Sequence, residues 1–578
     1  MSATLEAREP VARYLASPPL LQHFDRVAQA PGGIARLREL ILTLAVQGKL
    51  VPQDPTDEPA SVLLERIRSE KALLVKNGKI RKSKSLPEIS EEDIFELPIT
   101  WKWARLGDLG DWGAGATPSR SNGEYYGGDI PWFKSGELTA DLISDAEEHV
   151  TPLALKECSL RENRAGDVLI AMYGATIGKA SILSRPATTN QAVCACTPYS
   201  GLNNRYLLLL LKALKPYFVS IGAGGAQPNI SREKIIATVV ALPPLAEQSR
   251  IVARVDELMA LCDTLEETGR LAAVQHERLA SALFDALANS ATAEEATENW
   301  QRIAPHFDLL LDQTSTVDRL EQTILQLAVR GRLVPQNPTD EPASALLQKI
   351  RNKKNRLIAT GQLKREKHLP PIRDEEQPSE LPEGWDVVSF PELCVIGGGA
   401  TPSKAKPMYW EGDLPWVSPK DMKVDFISDA QDHVSKLALE ETRLPLIPKS
   451  SLLIVVRGMI LAHSFPVGVT QVEVTINQDM KSLTPLYPEL TPYLALVCKG
   501  FKQEILNLVE RSSHGTCKLE SDKLFAFRFG LPPLAEQSRI VARVAELRAL
   551  CAQLRERLAA TTQTQSRLAE TLIETVVV

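Results

Sequence analysis

The sequence lacks the cysteine pairs that build disulfide frames or zinc sites. Its 578 residues include eight cysteines, and no two of them form a CxxC motif. Cys194 and Cys196 lie two apart in the strand-like stretch NQAVCACTPY, so they are expected to share one face and to lie in a core. The sequence therefore predicts a reducing, cytoplasmic location, without a disulfide frame or a metal site.

Long apolar runs and an excess of positive charge are also missing. The longest apolar run, YLLLLLKALKPYF from Tyr206, is too short to span a bilayer and carries lysines. The first residues, MSATLEAREPVARYL, lack the basic and apolar regions of a secretory signal, so we expect no membrane association. A net charge of −6 and a pI near 5.9 do not favour a nucleic-acid binder.

Catalytic motifs are the third absence. An adenine methyltransferase needs an Asn/Asp-Pro-Pro-aromatic loop for the extruded base, and no Pro-Pro pair here precedes an aromatic residue. GATIGKAS from Gly174 is one residue too short between its glycines for a phosphate loop, and Ala180 stands where a magnesium-binding hydroxyl is needed. The sequence therefore predicts no catalytic residue, no metal ligand and no cofactor in this chain.

What the sequence does contain is one long unit written twice. LPPLAEQSRIVARV begins at Leu242 and again at Leu531. LAVQGKLVPQDPTDEPAS from Leu44 returns as LAVRGRLVPQNPTDEPAS from Leu327, and GATPS, GDIPW and ISDAEEHV return as GATPS, GDLPW and ISDAQDHV. A period this long indicates a duplicated set of domains rather than a solenoid.

Each copy has the same order of segments. A helical segment (34–72 or 317–355) leads to a basic connector and a Pro-punctuated linker, and then to a mixed domain of short strands and Gly turns before a long helix. The fold class is therefore α+β with an internal pseudo-two-fold repeat. The predicted domains are an N-terminal helical region with its connector at 1–96, a mixed domain at 97–243, a central helical spacer with the second connector at 244–380, a second mixed domain at 381–532, and a last spacer helix at 533–578.

The helix that ends each copy begins after paired prolines, which stop a strand and can open a helix. From Leu245 to Ala288 it would extend roughly 65 Å at about 1.5 Å per residue. Apolar residues spaced four and three apart predict a seam for a partner helix. The seam residues are Ile251, Val255, Leu258, Cys262 and Leu265 in the first copy, and Ile540, Val544, Leu547, Cys551 and Leu554 in the second.

The order of the two copies has a geometric consequence. The end helix of the first copy runs through the loosely patterned stretch 290–316 into the start helix of the second. For both mixed domains to have the same support, the N-terminal helix should pair with the C-terminal one. We therefore expect two globular mixed α/β domains separated by long antiparallel coiled-coil helices, with the termini near each other.

The two copies agree most in the long helices and least in the mixed domains. Leu242–Leu258 and Leu531–Leu547 differ only at Asp256 against Ala545, whereas VSIGAGGAQPNIS faces VERSSHGTCKLES. Because many apolar side chains of similar volume can fill a seam, packing alone does not require near-identity. We infer that the helices meet the same partner twice and that the mixed domains meet two different things.

PPLAEQ followed by an amphipathic helix, domains that open with GGGATPS-type turns, and the GDIPW and GDLPW phrases together resemble the specificity subunit of type I restriction–modification systems. The resemblance covers nearly all of 20–578. It implies that each mixed domain is a target recognition domain that reads one half of a bipartite site in double-stranded DNA. It also implies that the helices set the gap between the halves and dock two methyltransferase (modification) subunits, and that motor–nuclease (restriction) subunits join. The subunit itself would do no chemistry, so S-adenosylmethionine, ATP and Mg are expected in the partner subunits.

Reading DNA needs Arg or Lys for guanine, Asn or Gln for adenine, and Ser or Thr nearby. The loops of the mixed domains carry such residues, and the two copies carry different ones. The candidate DNA-binding residues are Arg120, Lys134, Tyr173, Thr176, Gln227 and Asn229 in the first copy, and Lys404, Lys406, Lys420, Arg457, His514 and Lys518 in the second. Asn190–Gln191 and Asn477–Gln478 occur in both copies, so maintaining the fold is their expected role.

Neither mixed domain is strongly basic, so phosphate attraction from this chain alone is expected to be weak. The basic residues of Arg66 to Lys84 and of Lys349 to Lys367 are either solvated helix faces or cations that flank the duplex. The alternative function is a structural adaptor whose two heads bind proteins, which the modest charge also fits.

Overall fold

The structure is a computed structural model, and it describes residues 27–80, 88–89, 96–222, 228–363, 381–511 and 516–577. The chain divides into two compact units. Unit 1 comprises residues 1–271 and 562–578, and unit 2 comprises residues 272–561. Both boundaries fall within long helices, so each unit contains part of both.

The α-helices vary from single turns to two helices of 44 residues. In chain order they are α1 (Gly33–Val46), α2 (Ala60–Lys76), α3 (Leu106–Leu109), α4 (Pro152–Glu157), α5 (Asn204–Ala213), α6 (Lys215–Gly222), α7 (Arg232–Ala237), α8 (Leu245–Ala288), α9 (Ala293–Ile303), α10 (Phe307–Leu310), α11 (Thr314–Val329), α12 (Ala343–Ala359), α13 (Phe390–Leu393), α14 (Lys436–Glu441), α15 (Thr491–Gly500), α16 (Lys502–Leu506), α17 (Ser521–Ala526) and α18 (Leu534–Val577).

The strands are short and fall into two runs. Those of unit 1 are β1 (Lys102–Arg105), β2 (Gly110–Ala114), β3 (Tyr126–Phe133), β4 (Leu142–Ile143), β5 (His149–Val150), β6 (Val168–Ala171), β7 (Ala180–Leu183), β8 (Thr188–Thr189), β9 (Val193–Pro198) and β10 (Val239–Leu242). Those of unit 2 are β11 (Asp386–Val388), β12 (Cys394–Gly398), β13 (Leu414–Val417), β14 (Phe426–Ile427), β15 (Asp432–Val434), β16 (Leu452–Val455), β17 (Val467–Thr470), β18 (Thr475–Ile476), β19 (Met480–Pro485), β20 (Val509–Arg511), β21 (Cys517–Leu519) and β22 (Phe529–Leu531).

The two runs of strands fold into heads of the same topology. Head 1 (β1 to β10) has sheets of order β2-β9-β6-β7-β4 and β5-β3-β8, and head 2 (β11 to β22) has sheets of order β12-β19-β16-β17-β14 and β15-β13-β18. The first and last strands of each head pair antiparallel, β1 with β10 and β11 with β22. The first and last strands of each head thus lie side by side, and a long helix follows the last strand directly. The predicted α+β class and the internal repeat are confirmed.

The central strands are apolar at every position because both of their faces are covered. All four residues of β6 (VLIA) and of β16 (LLIV) are buried. Cys194 and Cys196 in β9 are also fully buried and free, which confirms their predicted place in a core. Burial raises the pKa of the Cys194 thiol to about 12, so this thiol is inert.

The helical segments predicted at 34–72 and 317–355 are each two helices rather than one. Residues 47–59 separate α1 from α2 and include three prolines, which cannot donate the N–H that a continuing helix needs. Gly48 lies in this stretch with a φ of 73°, and Gly331 holds the same place in unit 2 with a φ of 71°. A Cβ on Gly48 would lie 2.7 Å from the ring of Pro98, so the turn packs closely against the start of the head.

The helix α8 spans Leu245–Ala288, as the sequence predicts, and continues through Gly269. Its seam does not form a free surface, however. The seam residues buried in the hydrophobic cores of their own units are Ile251, Val255, Leu258 and Cys262 in unit 1, and Ile540, Val544 and Cys551 in unit 2. Leu265, Leu547 and Leu554 are partly buried against the same cores. The buried seam residues therefore pack against the head and the short helices of their own unit, and a role for them in docking a partner subunit stays a prediction.

The first and last helices meet in unit 1. Nη1 of Arg36 in α1 donates to the carbonyl oxygen of Ser566 at 2.9 Å, and the guanidinium pairs with Glu570. The predicted pairing of the N-terminal helix with the C-terminal one is confirmed. In unit 2, Arg319 of α11 pairs with Asp285 of α8 in the related place. The antiparallel arrangement of α8 and α18 stays a prediction.

The stretch 290–316, predicted as loosely patterned, contains α9 and α10. Ile303 and Leu310 from these helices form a small core with Phe284 of α8. The stretch is therefore packed within unit 2.

Candidate nucleic-acid interface

One edge of each head gathers the ends of several strands. In head 1 the backbone N–H of Ala116 donates to Thr189 O at 3.0 Å, that of Asn190 to Phe133 O at 2.9 Å, and that of Met172 to Ala192 O at 2.8 Å. Head 2 repeats these bonds: Ala400 donates to Ile476, Asn477 to Val417, and Val456 to Asp479. We call this edge the rim; it comprises residues 115–120, 133–134, 172–174, 189–192 and 228–229 in head 1, and 399–404, 417–420, 456–458, 476–479 and 517–518 in head 2.

The rim backbone requires glycine at one matched position. A Cβ on Gly115 would lie 2.0 Å from Thr189 O, and a Cβ on Gly399 would lie 2.0 Å from Asn477 O. Since no side chain fits such a contact, both heads keep glycine here. The close approach of two backbone segments thus explains why the GATPS phrase begins with glycine in both copies.

An identical pair of exposed side chains lies on both rims. Thr117 Oγ1 donates to Gln191 Oε1, and Thr401 Oγ1 donates to Gln478 Oε1. All four side chains are exposed. A hydrogen bond on the surface contributes little net stability because water competes for both groups. Stability therefore does not account for the identity of this pair, which lies in the GATPS and Asn-Gln stretches that both rims share.

The asparagines beside these glutamines have a different role. Asn190 Oδ1 accepts from the N–H of Ala192 at 3.0 Å, and Asn477 Oδ1 accepts from that of Asp479 at 3.1 Å. These bonds fix the turn that leads into β9 or β19. The expected role in maintaining the fold is confirmed for the asparagines, whereas the glutamines are exposed.

Four of the sequence-predicted contact residues form two matched pairs. Tyr173 and Asn229 face each other across an isolated antiparallel bridge in head 1, and Arg457 and Lys518 do so in head 2. Gly174 N donates to Pro228 O at 2.9 Å, and Gly458 N donates to Cys517 O at 3.0 Å. The same backbone bridge thus presents a tyrosine and an asparagine in one head, and an arginine and a lysine in the other. We call these four residues the bridge pairs.

Two other predicted residues of head 1 share one carboxylate. Glu148 pairs with Arg120 at 2.6 Å and with Lys134 at 2.5 Å. Hydrogen bonds from Arg120 and then Lys134 lower the pKa of Glu148 to about 2. Arg120 also lies over the ring of Tyr126, 4.6 Å from its centroid. Both cations are therefore held by one carboxylate, which offsets one of their two positive charges.

The predicted lysines of head 2 are arranged differently. Lys406 Nζ donates to Tyr409 Oη at 2.8 Å, and Tyr409 Oη donates to Glu441 at 2.6 Å. Lys404 and Lys420 are exposed on the rim. Thr176 of head 1 donates to the carbonyl oxygen of Tyr173 at 2.7 Å, which stabilises the turn after the bridge. Gln227 and His514 lie outside the described residues.

Several cations of the predicted basic segments bond within their own unit. Lys71 Nζ donates to Gly107 O at 3.0 Å, and Lys353 Nζ donates to Leu486 O at 2.6 Å. Lys349 pairs with Glu341 at 2.8 Å. The contacts of Lys71 and Lys353 tie α2 and α12 to the heads, whereas the Lys349 pair lies within the helical segment itself. Arg81, Lys82, Lys84 and residues 364–367 lie outside the described residues.

Sequence reasoning missed a buried polar anchor, which repeats in each unit. Glu247, at the start of α8, accepts from Trp101 Nε1 at 3.0 Å and from Gln53 Nε2 at 2.8 Å. Its counterpart Glu536 accepts from Trp385 and Gln336, both at 3.1 Å. Burial raises the pKa of both carboxyl groups.

A second contact accompanies each anchor. Arg250 pairs with Asp57 at 2.6 Å, and Arg539 pairs with Asp340 at 2.7 Å. The anchors explain why LPPLAEQSRIVARV recurs so faithfully, because several of its polar residues have obligatory partners inside the unit. The inference that packing does not require this identity is therefore corrected. Its signal was in the sequence, as Gln, Asp, Trp, Glu and Arg recur together in both copies.

The comparisons with known proteins match these two units. The family model for the type I restriction modification DNA specificity domain matches residues 98–276 and again 382–561. The chain belongs to this family. Each match covers one head and much of the long helix that follows it.

Two curated relatives are similar to the chain over nearly its full length. The type I restriction enzyme EcoAI specificity subunit of Escherichia coli is 34% identical over 576 residues, which cover 94% of this chain and 93% of that protein. The EcoEI specificity subunit of the same species is 32% identical over the same shares. A chain in a solved structure of a type I R-M system is 18% identical, covering 84% of this chain and 99% of its own, with a TM-score of 0.46.

The chain is thus a DNA sequence-specificity subunit, and the adaptor alternative is set aside. Within the described residues of this specificity subunit, no helix is both long enough and apolar enough to cross a membrane. The same part of the chain holds no group of three or more His, Cys, Asp or Glu residues arranged for a metal ion.

Proposed function

We propose that the specificity subunit reads a bipartite, asymmetric site in double-stranded DNA, one half with each head. The observation that supports this is the contrast within the rims. Their backbones are bonded alike, yet the bridge pairs are Tyr173 and Asn229 in one head and Arg457 and Lys518 in the other. Two heads with the same backbone and different polar side chains at the bridge would recognise two different half-sites.

A head exchange tests this proposal. The pairing of β1 with β10 brings the two ends of head 1 together, so residues 97–243 can be replaced by the corresponding head of a related specificity subunit. The exchanged chain is co-expressed with the methyltransferase subunit of its own system, and modified bases are mapped in the host DNA. One half of the target should change while the other half and the unread gap stay the same. A change in both halves would contradict independent reading.

The two methyltransferase (modification) subunits would dock on a surface that both long helices share. Leu245, Ala246, Ser249 and Ala253 are exposed on α8, and the same residue types, Leu534, Ala535, Ser538 and Ala542, are exposed on α18. Leu245 is 41% exposed and Leu534 is 40% exposed, which is unusual for leucines in so faithfully repeated a stretch. The buried anchors do not require these exposed residues to be the same in both helices. A partner that binds both helices would explain why they are.

A pull-down tests the docking surface. Leu245→Glu with Leu534→Glu should leave both units folded and should abolish capture of the methyltransferase subunit. Leu271→Glu is the matched control, because Leu271 is exposed on the same helix but its counterpart is Ala560. Leu258→Asp is expected to unfold unit 1 instead, since Leu258 is 2% exposed. Full capture by the Leu245/Leu534 variant would refute this surface.

The chemistry would belong to the partners. Methyl transfer from S-adenosylmethionine and the ATP- and Mg-dependent steps of the motor–nuclease (restriction) subunits are assigned to those subunits, and this chain contributes position and sequence choice. The assignment is tested by incubating the purified specificity subunit alone with DNA and S-adenosylmethionine. Incorporation of methyl groups without the methyltransferase subunit would overturn it.

A further inference from the structure

We propose that the bridge pairs are the direct base-reading elements of the two heads, and that Arg457 with Lys518 reads a guanine whereas Asn229 beside Tyr173 reads an adenine. This inference rests on the proposed function and goes further, because it names the residues that set each half-site and the base chemistry they select.

The first step is positional equivalence. In each head, the second residue after the central strand (β6 or β16) forms the bridge, and its partner precedes the last short helix of the head (α7 or α17). A glycine follows the first bridge residue in both heads. Gly174 has a φ of 62° and Gly458 has a φ of 135°. Both segments therefore turn directly after the bridge in a conformation that favours glycine. Tyr173 is 43% exposed, and the side chains of Arg457 and Lys518 are 50% and 46% exposed. Each pair is therefore exposed to solvent at a hydrogen-bonded backbone bridge.

The second step concerns charge. Arg457 lies 4.0 Å from Asp479, and Lys518 pairs with Glu520 at 2.7 Å, so two carboxylates offset the two cations. The equivalent pair in head 1 carries no charge. All phosphates are alike, so a phosphate contact would keep cations in both heads, whereas bases differ between half-sites. Two cationic side chains at the bridge of one head and two uncharged ones at the bridge of the other are what contact with different bases predicts.

The third step is the fit to base edges. The major-groove edge of guanine offers two acceptors, N7 and O6, and arginine and lysine offer donors only. The edge of adenine offers an acceptor, N7, and a donor, the N6 amino group, and the amide of asparagine offers one of each. The Tyr173 ring beside Asn229 supplies an apolar wall with a hydroxyl at its tip. The two bridge pairs are thus complementary to different bases.

The test transplants each pair into the other head of the full chain. One variant carries Arg457→Tyr and Lys518→Asn, and the other carries Tyr173→Arg and Asn229→Lys. Each is co-purified with the methyltransferase subunit, and binding is selected from duplexes randomised in both half-sites. Because both heads build the same bridge, each pair fits the other frame; thermal unfolding checks that the variants are folded.

The expected result is a change confined to one half-site. The Arg457/Lys518 variant should lose its preference for a guanine in the head 2 half, by about tenfold or more, and keep the head 1 half intact. The Tyr173/Asn229 variant should lose an adenine from the head 1 half only. The matched control is Arg443→Tyr with Lys449→Asn, exposed cations that precede β16 at the end opposite the bridge, and it should leave both halves unchanged.

Three other outcomes would overturn the inference. Uniform weakening over all sequences, with a salt dependence lowered by about one or two charges, would assign Arg457 and Lys518 to phosphates. Unchanged selection would remove the bridge from the interface. Both outcomes leave the proposed function standing, because the wild-type complex still selects two half-sites. A wild-type complex that selects no sequence would refute the proposed function and this inference with it.

Discussion

The two units share a frame but reverse one of its ion pairs. In unit 1, Arg38 of α1 pairs with Asp263 at 2.6 Å and with Glu266 at 2.7 Å in α8. In unit 2, Glu321 of α11 holds the place of Arg38, and it pairs with Arg548 at 2.6 Å and with Arg555 in α18. Arg555 holds the place of Glu266. The sign of the pair is therefore inverted at equivalent positions.

This difference separates what the fold requires from what it tolerates. The anchors at Glu247 and Glu536 are identical because a buried carboxylate needs particular donors. A partly exposed helix pair needs only opposite charges, so either sign serves. The inversion also means that Arg38 of α1 would meet like charge if it packed beside Arg548 and Arg555 of α18, which favours the correct pairing. At these two sites, identity accompanies the buried polar contact and divergence accompanies the partly exposed one.

The largest effect is expected at the anchors. Glu247→Ala removes the acceptor of two hydrogen bonds and leaves the buried Trp101 N–H unpaired, so unit 1 should lose about 3 kcal/mol of unfolding free energy. Urea unfolding, with hydrogen exchange in β1 and β10, measures this loss. Ser249→Ala, exposed on the same helix, is the control. Glu536→Ala should act on unit 2 alone, and equal loss in both units from one variant would show that the units are not independent.

The reversed ion pair should give the next largest effect. Glu321→Arg sets a third cation against Arg548 and Arg555 and should destabilise unit 2 by about 2 kcal/mol. Arg38→Glu should cost unit 1 about 1 kcal/mol, because its partners are exposed. Adding Glu266→Arg to Arg38→Glu recreates the Glu321–Arg555 pair of unit 2 and should recover part of that loss, since Asp263 remains near the new glutamate. A double variant no more stable than Arg38→Glu alone would mean that the pair does not couple the helices.

The Thr–Gln pairs should show a smaller and symmetrical effect. Gln191→Ala and Gln478→Ala each remove an exposed amide from a rim position that is identical in both heads. Each should weaken DNA binding by the complex about threefold to fivefold, with no change in the bases selected, because an identical contact cannot distinguish unlike half-sites. Affinity and selected sequence are measured in the same binding selection. A change of selected base in either variant would place these glutamines among the base readers.

The smallest effect is a pH dependence in unit 2. Burial alone raises the pKa of Glu321, but hydrogen bonds from Arg555 and Arg548 outweigh it, and the net pKa is lowered. A lowered pKa means that this stabilisation is present above the ordinary Glu pKa and is lost as the pH falls through the lowered value. The unfolding free energy lost in Glu321→Gln should therefore be larger at about pH 7 than at about pH 3. A loss that does not depend on pH would show that the pair acts through packing alone.

Much of the fold could be predicted from local patterns. The prolines before Leu245 and the apolar spacing fixed the start of α8, and the repeat itself predicted two heads of one topology. The elements that pack on the seam could not be predicted, because the spacing of apolar residues shows that a helix face is apolar but not what packs against it. The seam is covered by α1, α2 and the head, whose residues lie far away in the sequence.

The candidate interface was predictable only as a set of loop residues. Tyr173 and Asn229 were both candidates, but nothing in their spacing places them side by side; an isolated bridge does so. Arg120 and Lys134 read in sequence as free cations, yet Glu148 holds both. Which cations are available for DNA depends on such partners, and partners are set by tertiary contacts.

The sequence by itself determined that the chain is a duplicated α+β protein with a long helix at the end of each copy and without a catalytic motif. Repeats, helix ends and motifs can all be recognised in the sequence alone. The tertiary structure decided which faces are buried, which exposed side chains share a rim, and why one phrase recurs almost unchanged. The physical reason is that burial and hydrogen bonding join residues distant along the chain, and a buried carboxylate tolerates far less substitution than an exposed side chain.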